Sequence, residues 1–181
     1  HPEWGQSYAQ RPLLYPNLGN GKFELVPAVE GTGLAVVTVG RGAAFGDLFN
    51  DGKIDVIINS MDSAPILLRN VNPGRHHWVE MKLIGGPKSP RDAVGTTVYL
   101  TANGMRQRDD VLSGGSYLSS NDMRVHFGLG TLDKVDQVEI HWPSGNIEKL
   151  KLPSVDRIYT ITEGKGITGA MCDGKPCDLS H

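Results

Sequence analysis

Short segments rich in β-branched and apolar residues alternate along almost the whole chain with turns that contain Gly, Pro and Asn. Several turns carry Asn-Gly or Pro-x-Gly, which favour tight hairpins because Gly adopts positive φ without steric cost. One candidate helix, DKVDQVEIHW at 133–142, ends in clean apolar–polar alternation and is interpreted as a strand. The pattern predicts an all-β protein, a β-sandwich or β-propeller, with twelve strands: PLLYPN, KFELVPAV, RGAAFGD, IDVIINS, PILLRNV, HHWVEMKLI, GTTVYLTA, MRQRDDVLS, RVHFGLG, QVEIHWP, IEKLKL and RIYTITEG.

Charge and length exclude several classes of partner. The 181 residues suffice for one large or two small domains, and the formal net charge is −2. No basic field is therefore available to attract nucleic acid or anionic lipid. No apolar run approaches the roughly 18 residues of a membrane span. The chain opens HPEWGQSYAQ, without an initiator Met or a signal peptide, so we interpret it as a piece of a longer polypeptide.

The strand pattern changes near residue 71. Before it, strands such as DVIINS at 55–60 contain an uninterrupted apolar run, which predicts burial on both faces, as in stacked propeller blades. After it, strands such as IEKLKL alternate apolar and charged residues, as in a sandwich whose sheets have one solvent-exposed face. We predict a propeller-blade region at 1–70, a β-sandwich-like domain at 71–166 and a Cys-bearing tail at 167–181.

The segment DLFNDGKID at 47–55 resembles a calcium loop of the form D-x-D-x-D-G-x-x-D. Alternate oxygen ligands in such a loop converge on one ion, while a Gly at position six permits the sharp turn. The predicted ligands are three carboxylates and one main-chain carbonyl, with Ca²⁺ as the cofactor: Asp47, Asp51, Lys53 (carbonyl) and Asp55.

Position three of this loop is Phe49 instead of Asp or Asn. Calcium binding is therefore expected to be weak, and Phe49 is expected to turn into the apolar space between sheet layers. The alternative is a metal-free turn in which Asp47 and Asp51 cap the backbone through Asx hydrogen bonds.

The two cysteines, Cys172 and Cys177, lie in CDGKPC. Gly and Pro between them allow the chain to turn back, which favours a disulfide and an oxidising compartment. Free thiols and a zinc site with His181 are the alternatives, although no second Cys pair completes a zinc ligand set.

Catalytic motifs are weak. The segment SGGSYLSS at 113–120 lacks the second Gly of a nucleophile elbow, which leaves Ser113 with His126 as one candidate pair. His76 and His77 with Asp92 are a second candidate. His126 and His141 are interpreted as structural residues in alternating strands, and no enzymatic activity is predicted.

Residues 41–70, RGAAFGDLFNDGKIDVIINSMDSAPILLRN, resemble the FG-GAP or VCBS repeat of calcium-binding β-propellers. Four later motifs in order resemble the ASPIC/UnbV domain that follows such repeats in the cartilage acidic protein-like family: HWVEMKLIGGPKSPRDAVGTTVYL, SGGSYLSSNDMRVHFGLG, VEIHWPSG and YTITEG. This resemblance implies a secreted, extracellular or periplasmic protein with calcium at the Asp47 loop. It implies adhesion or matrix interaction and no known reaction.

We therefore predict a non-catalytic, calcium-stabilised binding or adhesion module of a secreted multidomain protein, with an extracellular protein or glycan as ligand. The alternative is a carbohydrate-binding accessory module, for which exposed aromatic rings would form the platform. Trp4, Trp78 and Trp142 are available for it, although Trp78 and Trp142 lie in alternating segments that suit a core.

Overall fold

The computed structural model describes residues 7–61 and 63–178, and its regular elements in these ranges are β-strands and one short 3-10 turn. The all-β prediction is confirmed. Trp4 and His181, which the sequence offered to a carbohydrate platform and a zinc site, lie outside the described residues.

The N-terminal region contains two small antiparallel sheets, a hairpin of β1 with β2 and a meander in the order β3-β4-β5. The elements are β1 (Asn17–Gly19), β2 (Lys22–Phe23), the 3-10 turn Gly33–Ala35, β3 (Gly40–Gly46), β4 (Asp55–Ser60) and β5 (Ile66–Leu68). The predicted strands at 12–17 and 22–29 are thus mostly wrong. Pro12, Pro16 and Pro27 interrupt them, because Pro cannot donate to a strand ladder.

The meander is not buried on both faces, contrary to the prediction for strands before residue 71. Phe45, Ile57 and Leu67 remain 43%, 38% and 49% exposed. In the described ranges no second sheet covers these side chains, so their apolar character does not by itself produce burial.

Two larger sheets form the β-sandwich. One has five strands in the order β14-β13-β12-β6-β9, and the other has four in the order β11-β10-β7-β8. The strands are β6 (His77–Ile84), β7 (Thr97–Ala102), β8 (Met105–Asp110), β9 (Val125–Gly130), β10 (Gln137–His141), β11 (Ile147–Leu150), β12 (Arg157–Thr162), β13 (Gly166–Cys172) and β14 (Lys175–Pro176).

The inward residues of both sheets form one hydrophobic core. Val138 and Ile140 of β10 are fully buried, while their neighbours in the strand are not, as the period of two requires. Val79 and Met81 of β6 enter the same core from the opposite sheet. Trp142 is only 3% exposed, so it belongs to this core. It is therefore not available to a carbohydrate platform.

Two pairings in the five-stranded sheet connect distant segments. Strands β6 and β12 are parallel, with Val79 opposite Arg157, although the rest of the sheet is antiparallel. Strand β13 pairs with β12, so the predicted start of the tail at residue 167 falls inside the sheet. The sandwich therefore includes the disulfide-bearing hairpin of β13 and β14.

Candidate functional site

The loop between β3 and β4 closes on its own carboxylates. Asp47 is fully buried, and its Oδ1 and Oδ2 accept hydrogen bonds from the main-chain N–H groups of Asp51 (3.1 Å) and Gly52 (2.7 Å). Asp51 Oδ1 accepts from the Lys53 N–H at 3.2 Å. These are the Asx-type bonds of a stable turn.

Asp55 connects the loop to the segment that follows β5. It is 1% exposed, and its Oδ2 accepts from the Leu48 N–H at 3.3 Å while Oδ1 accepts from the Asn70 N–H at 2.8 Å. Both buried carboxylates are therefore satisfied by backbone donors, as buried charges require.

The predicted calcium ligands share one loop, but their side chains are engaged in these bonds. Among the described residues, no group of three or more His, Cys, Asp or Glu side chains is arranged to hold a metal ion. Each carboxylate oxygen that accepts one N–H keeps further lone-pair capacity. Calcium would have to be completed by main-chain carbonyls and water, and its binding stays a prediction.

Phe49 does not enter the space between sheet layers, contrary to our expectation. Its side chain is 44% exposed and lies under the Arg69 guanidinium, 4.1 Å from the ring centroid. Arg69 also lies 4.0 Å from Asp51 Oδ2. The aromatic ring thus orients a cation beside the loop, by a cation–π contact.

Arg124 joins this loop to the sandwich. Its Nη1 donates to Asn50 Oδ1 and its Nη2 to the Asp47 carbonyl oxygen, each at 2.7 Å, while Nε donates to Asp122 Oδ2 at 2.7 Å. Burial opposes the charge, but Asp122 together with Glu80 and Asp47 holds the pKa of Arg124 above its usual value. The planar fork of Arg suits such a multi-acceptor site.

Glu80 lies behind this guanidinium and is 1% exposed. Its Oε2 is 3.0 Å from Arg124 Nη1, yet out of line for a hydrogen bond, so this atom has no hydrogen-bond partner in the described part of the chain. Burial raises the pKa of Glu80 to about 8; Arg124 opposes this shift, while Asp47 and Asp122 add to it.

Trp78 and His126 of the sandwich contact the loop at Gly52. A β-carbon on Gly52 would lie 2.1 Å from Trp78 Cε2, and Gly52 has a φ of +78°. The His126 ring is nearly parallel to that of Trp78, with centroids 6.2 Å apart, and its Nε2 lies 3.0 Å from the Gly52 carbonyl oxygen. Only a residue without a side chain fits at position 52.

A cleft of about 710 Å³ opens beside this contact, which we call the junction cleft. Its walls are the loop at 51–54, the linker at 70–77 and the edge of the sandwich; its lining includes Trp78, His126 and Asp156. Ligand sites commonly occur at such boundaries, in cavities of about 300–1,000 Å³.

Within the cleft, His77 and Asp156 form a pair that the sequence analysis missed. His77 Nδ1 lies 2.7 Å from Asp156 Oδ2, and the Trp78 N–H donates to Asp156 Oδ1 at 3.1 Å. The two residues are 79 positions apart and meet because β6 and β12 are parallel neighbours. No local sequence signal marks this pair.

The two candidate catalytic combinations are not assembled in the described ranges. Ser113 is exposed and has no hydrogen bond to His126, whose Nε2 contacts the Gly52 carbonyl, in the ranges that the structure covers. Asp92 lines a separate cavity and not the junction cleft, so His77 pairs with Asp156 instead. His141 contacts Glu139 at 2.6 Å, which fits the structural role predicted for it.

The tail contains the predicted disulfide, Cys172–Cys177, with an S–S distance of 2.10 Å. The free-thiol and zinc alternatives are thereby excluded for these two residues. As for membrane association, no α-helix in the described ranges has the length and apolarity to span a bilayer.

Comparison with known protein families finds a match that lies mainly in the second half of the chain. Residues 86–168 match the family model described as ASPIC and UnbV. The chain is 30% identical over 112 residues to cartilage acidic protein 1 of Xenopus tropicalis, a match that covers 60% of this chain and 17% of that protein.

The chain thus spans less than a fifth of that curated relative. A solved structure described as a "putative cell adhesion protein" from Bacteroides uniformis aligns with a TM-score of 0.35 and 13% identity, covering 90% of this chain and 78% of the other. The FG-GAP or VCBS resemblance of residues 41–70 lies outside the family match. Residues 86–168, which carry strands β7 to β12 of the sandwich, are the part of the chain that matches the ASPIC and UnbV family model.

Proposed function

We propose that this chain is a non-catalytic binding module of a secreted, extracellular adhesion-type protein, with the junction cleft as its ligand site. The observation that carries the proposal is the interlocking of loop and sandwich through Arg124, Trp78 and His126. Such interlocking gives the cleft fixed walls, and preorganised walls lower the entropic cost of binding.

The location outside the cell has two supports. The disulfide between Cys172 and Cys177 is typical of oxidising compartments. The relative in Xenopus tropicalis is named for cartilage, a tissue dominated by extracellular matrix. Both features agree with a module exposed to matrix or cell surfaces.

A binding role is favoured over catalysis by the partners of the cleft histidines. His77 is held by Asp156, and His126 by the Gly52 carbonyl. Neither histidine has a hydroxyl or thiol as hydrogen-bond partner in the described ranges, whereas an activated nucleophile needs such a base beside it. The pair of His77 and Asp156 therefore fits a recognition group with a fixed ring orientation.

The test is attachment to surfaces coated with the chain. We expect cultured cells or purified matrix glycoproteins and glycosaminoglycans to be retained above a coating of an unrelated β-sandwich protein. Absence of any retention would refute the proposal. So would hydrolysis of an ester, phosphate or glycoside panel that His77→Gln abolishes.

Carbohydrate binding is the second candidate, and Trp78 is the observation that favours it. Its indole is half-buried beside His126 and lines the cleft, where a ring face can stack on an aliphatic or sugar surface. This candidate is compatible with adhesion if the adhesive ligand is a glycan.

Calcium at the Asp47 loop is proposed as a stabiliser, not as the binding function. Three aspartates lie within nine residues, and two of them are buried. A divalent cation would offset their mutual repulsion. The expected affinity is on the order of 10⁻⁴–10⁻³ M, typical of extracellular modules.

A further inference from the structure

The side-chain oxygens of the junction cleft already accept hydrogen bonds within the chain, whereas several of its side-chain donors have no partner in the described ranges. Asp156 accepts from Trp78 N–H and pairs with His77. Asn70 Oδ1 accepts from the Asn72 N–H at 3.1 Å, and Asn72 Oδ1 accepts from the Gly74 N–H at 2.9 Å. The side-chain oxygens of the linker are thus committed to its own turns.

The remaining acidic group, Asp51, is also engaged. Its Oδ1 accepts from the Lys53 N–H, and its Oδ2 lies 3.9 Å from Lys53 Nζ and 4.0 Å from Arg69. Two cations therefore offset this carboxylate. It adds little net negative charge to the cleft.

Three donor groups of the linker have no such partner, whereas Lys53 is only loosely paired with Asp51 at 3.9 Å. Arg75 is exposed, and in the described ranges it has neither an ion pair nor a hydrogen bond. The side-chain amides of Asn70 and Asn72 likewise have no acceptor in those ranges. Together with Lys53, these groups place donors on the loop and on the linker.

This arrangement complements a ligand that carries several acceptor oxygens around a compact ring. We propose that the junction cleft binds an anionic saccharide, with Arg75 and Lys53 meeting its carboxylate or sulfate and Trp78 lying against the sugar ring. Guanidinium and ammonium groups form charge-assisted bonds with such anions. The proposal rests on the proposed binding function and names its ligand class.

An acidic peptide is the less suitable occupant. A peptide carboxylate places two acceptor oxygens at one point, whereas the cleft's donors are spread over the loop and the linker. An aromatic face next to them suits a ring with a C–H face. The global net charge of −2 is no obstacle, because recognition here depends on local donors and not on a long-range field.

Isothermal titration with four probes tests this proposal: a heparin-derived tetrasaccharide, a hyaluronan tetrasaccharide, neutral chitotetraose and tetraglutamate. We expect at least one anionic saccharide to bind, and Lys53→Gln/Arg75→Gln to weaken it about tenfold or more, since two charge-assisted contacts are lost. The matched control is Arg91→Gln/Lys134→Gln, which removes the same charge from exposed positions outside the cleft. It should bind within about twofold of wild type.

Four results would overturn the proposal: no binding of either anionic saccharide, equal loss in the control variant, chitotetraose as tight as the anionic probes, or tetraglutamate tighter than both. Melting curves of both variants establish that they fold. Retention of cells or matrix by the wild type despite one of these results would leave the proposed binding function standing. Failure of both assays would refute the two together.

Discussion

Arg124 Nη1 lies 3.0 Å from Glu80 Oε2, and the same guanidinium donates to the Asp47 carbonyl oxygen at 2.7 Å. One cation therefore lies against the buried carboxyl group of Glu80 in the sandwich and fastens the β3–β4 loop. Because its side chain is only 18% exposed, solvent cannot replace these contacts without opening the junction. The loop and the sandwich are coupled through this side chain.

The first prediction follows from this coupling. Arg124→Ala would remove three hydrogen bonds, from the guanidinium to Asn50, to the Asp47 carbonyl oxygen and to Asp122. We expect a loss of about 3–5 kcal/mol in the free energy of unfolding, measured by urea denaturation, because three charge-assisted bonds are lost. Arg91→Ala, at an exposed position, is the control. A loss below about 1 kcal/mol for Arg124→Ala would show that the Arg124 contacts are not needed for stability.

Glu80 predicts a particular pH dependence. Burial raises its folded-state pKa from the ordinary value of 4.5 to about 8, so the folded protein binds the proton more tightly than the unfolded chain. Its contribution to stability is fully present below pH 4.5 and is lost as the pH rises through about 8. We expect the free energy of unfolding of wild type to fall across this window relative to Glu80→Gln. Parallel pH curves for the two proteins would contradict the shift.

Gly52 and Gly104 form a matched pair for the third prediction. Both have positive φ, +78° and +73°, but a β-carbon at Gly52 would meet Trp78 at 2.1 Å, whereas none of the surrounding atoms lies within 4 Å at Gly104. Gly104→Ala should cost about 1–2 kcal/mol for the left-handed conformation alone. Gly52→Ala should cost roughly 1–3 kcal/mol more, for overpacking against Trp78. Equal melting temperatures would show that the loop is not seated on Trp78.

The disulfide gives a fourth prediction. Alkylation of the native protein should add no mass at Cys172 or Cys177, whereas alkylation after reduction should modify both. Replacing both with Ser should lower stability by about 2 kcal/mol, because the bridge closes a loop of only a few residues. Two alkylations without prior reduction would contradict the bridge.

What the sequence could predict was local. The alternation in β10 placed Val138 and Ile140 in the core, and the Gly and Pro between Cys172 and Cys177 indicated a chain reversal that a disulfide can close. Both features depend on residues within a few positions of each other. The period of two and the turn chemistry therefore suffice for them.

The candidate site was not predictable in this way, because its contacts join distant segments. Arg124 meets Asp47 across 77 positions, and His77 meets Asp156 across 79. The second contact depends on the parallel pairing of β6 with β12, and the first on how the β3–β4 loop lies against the start of β9; turn patterns encode neither. Phe49 was misplaced for the same reason, since its contact with Arg69 requires knowledge of the loop's path.

The last prediction concerns calcium at the Asp47 loop. The loop already closes through N–H bonds to Asp47, so the ion is expected to stabilise a preformed turn and not to create it. With a dissociation constant on the order of 10⁻⁴–10⁻³ M, about 5 mM calcium should add about 1–2 kcal/mol to stability over an EDTA-treated sample. Asp51→Ala should abolish this calcium-dependent rise in melting temperature, while Asp133→Ala, at an exposed position outside the loop, should retain it. Identical melting of wild type with EDTA and with calcium would show that backbone hydrogen bonds alone hold the loop, and Phe49 would then mark the loss of an ion site at position three.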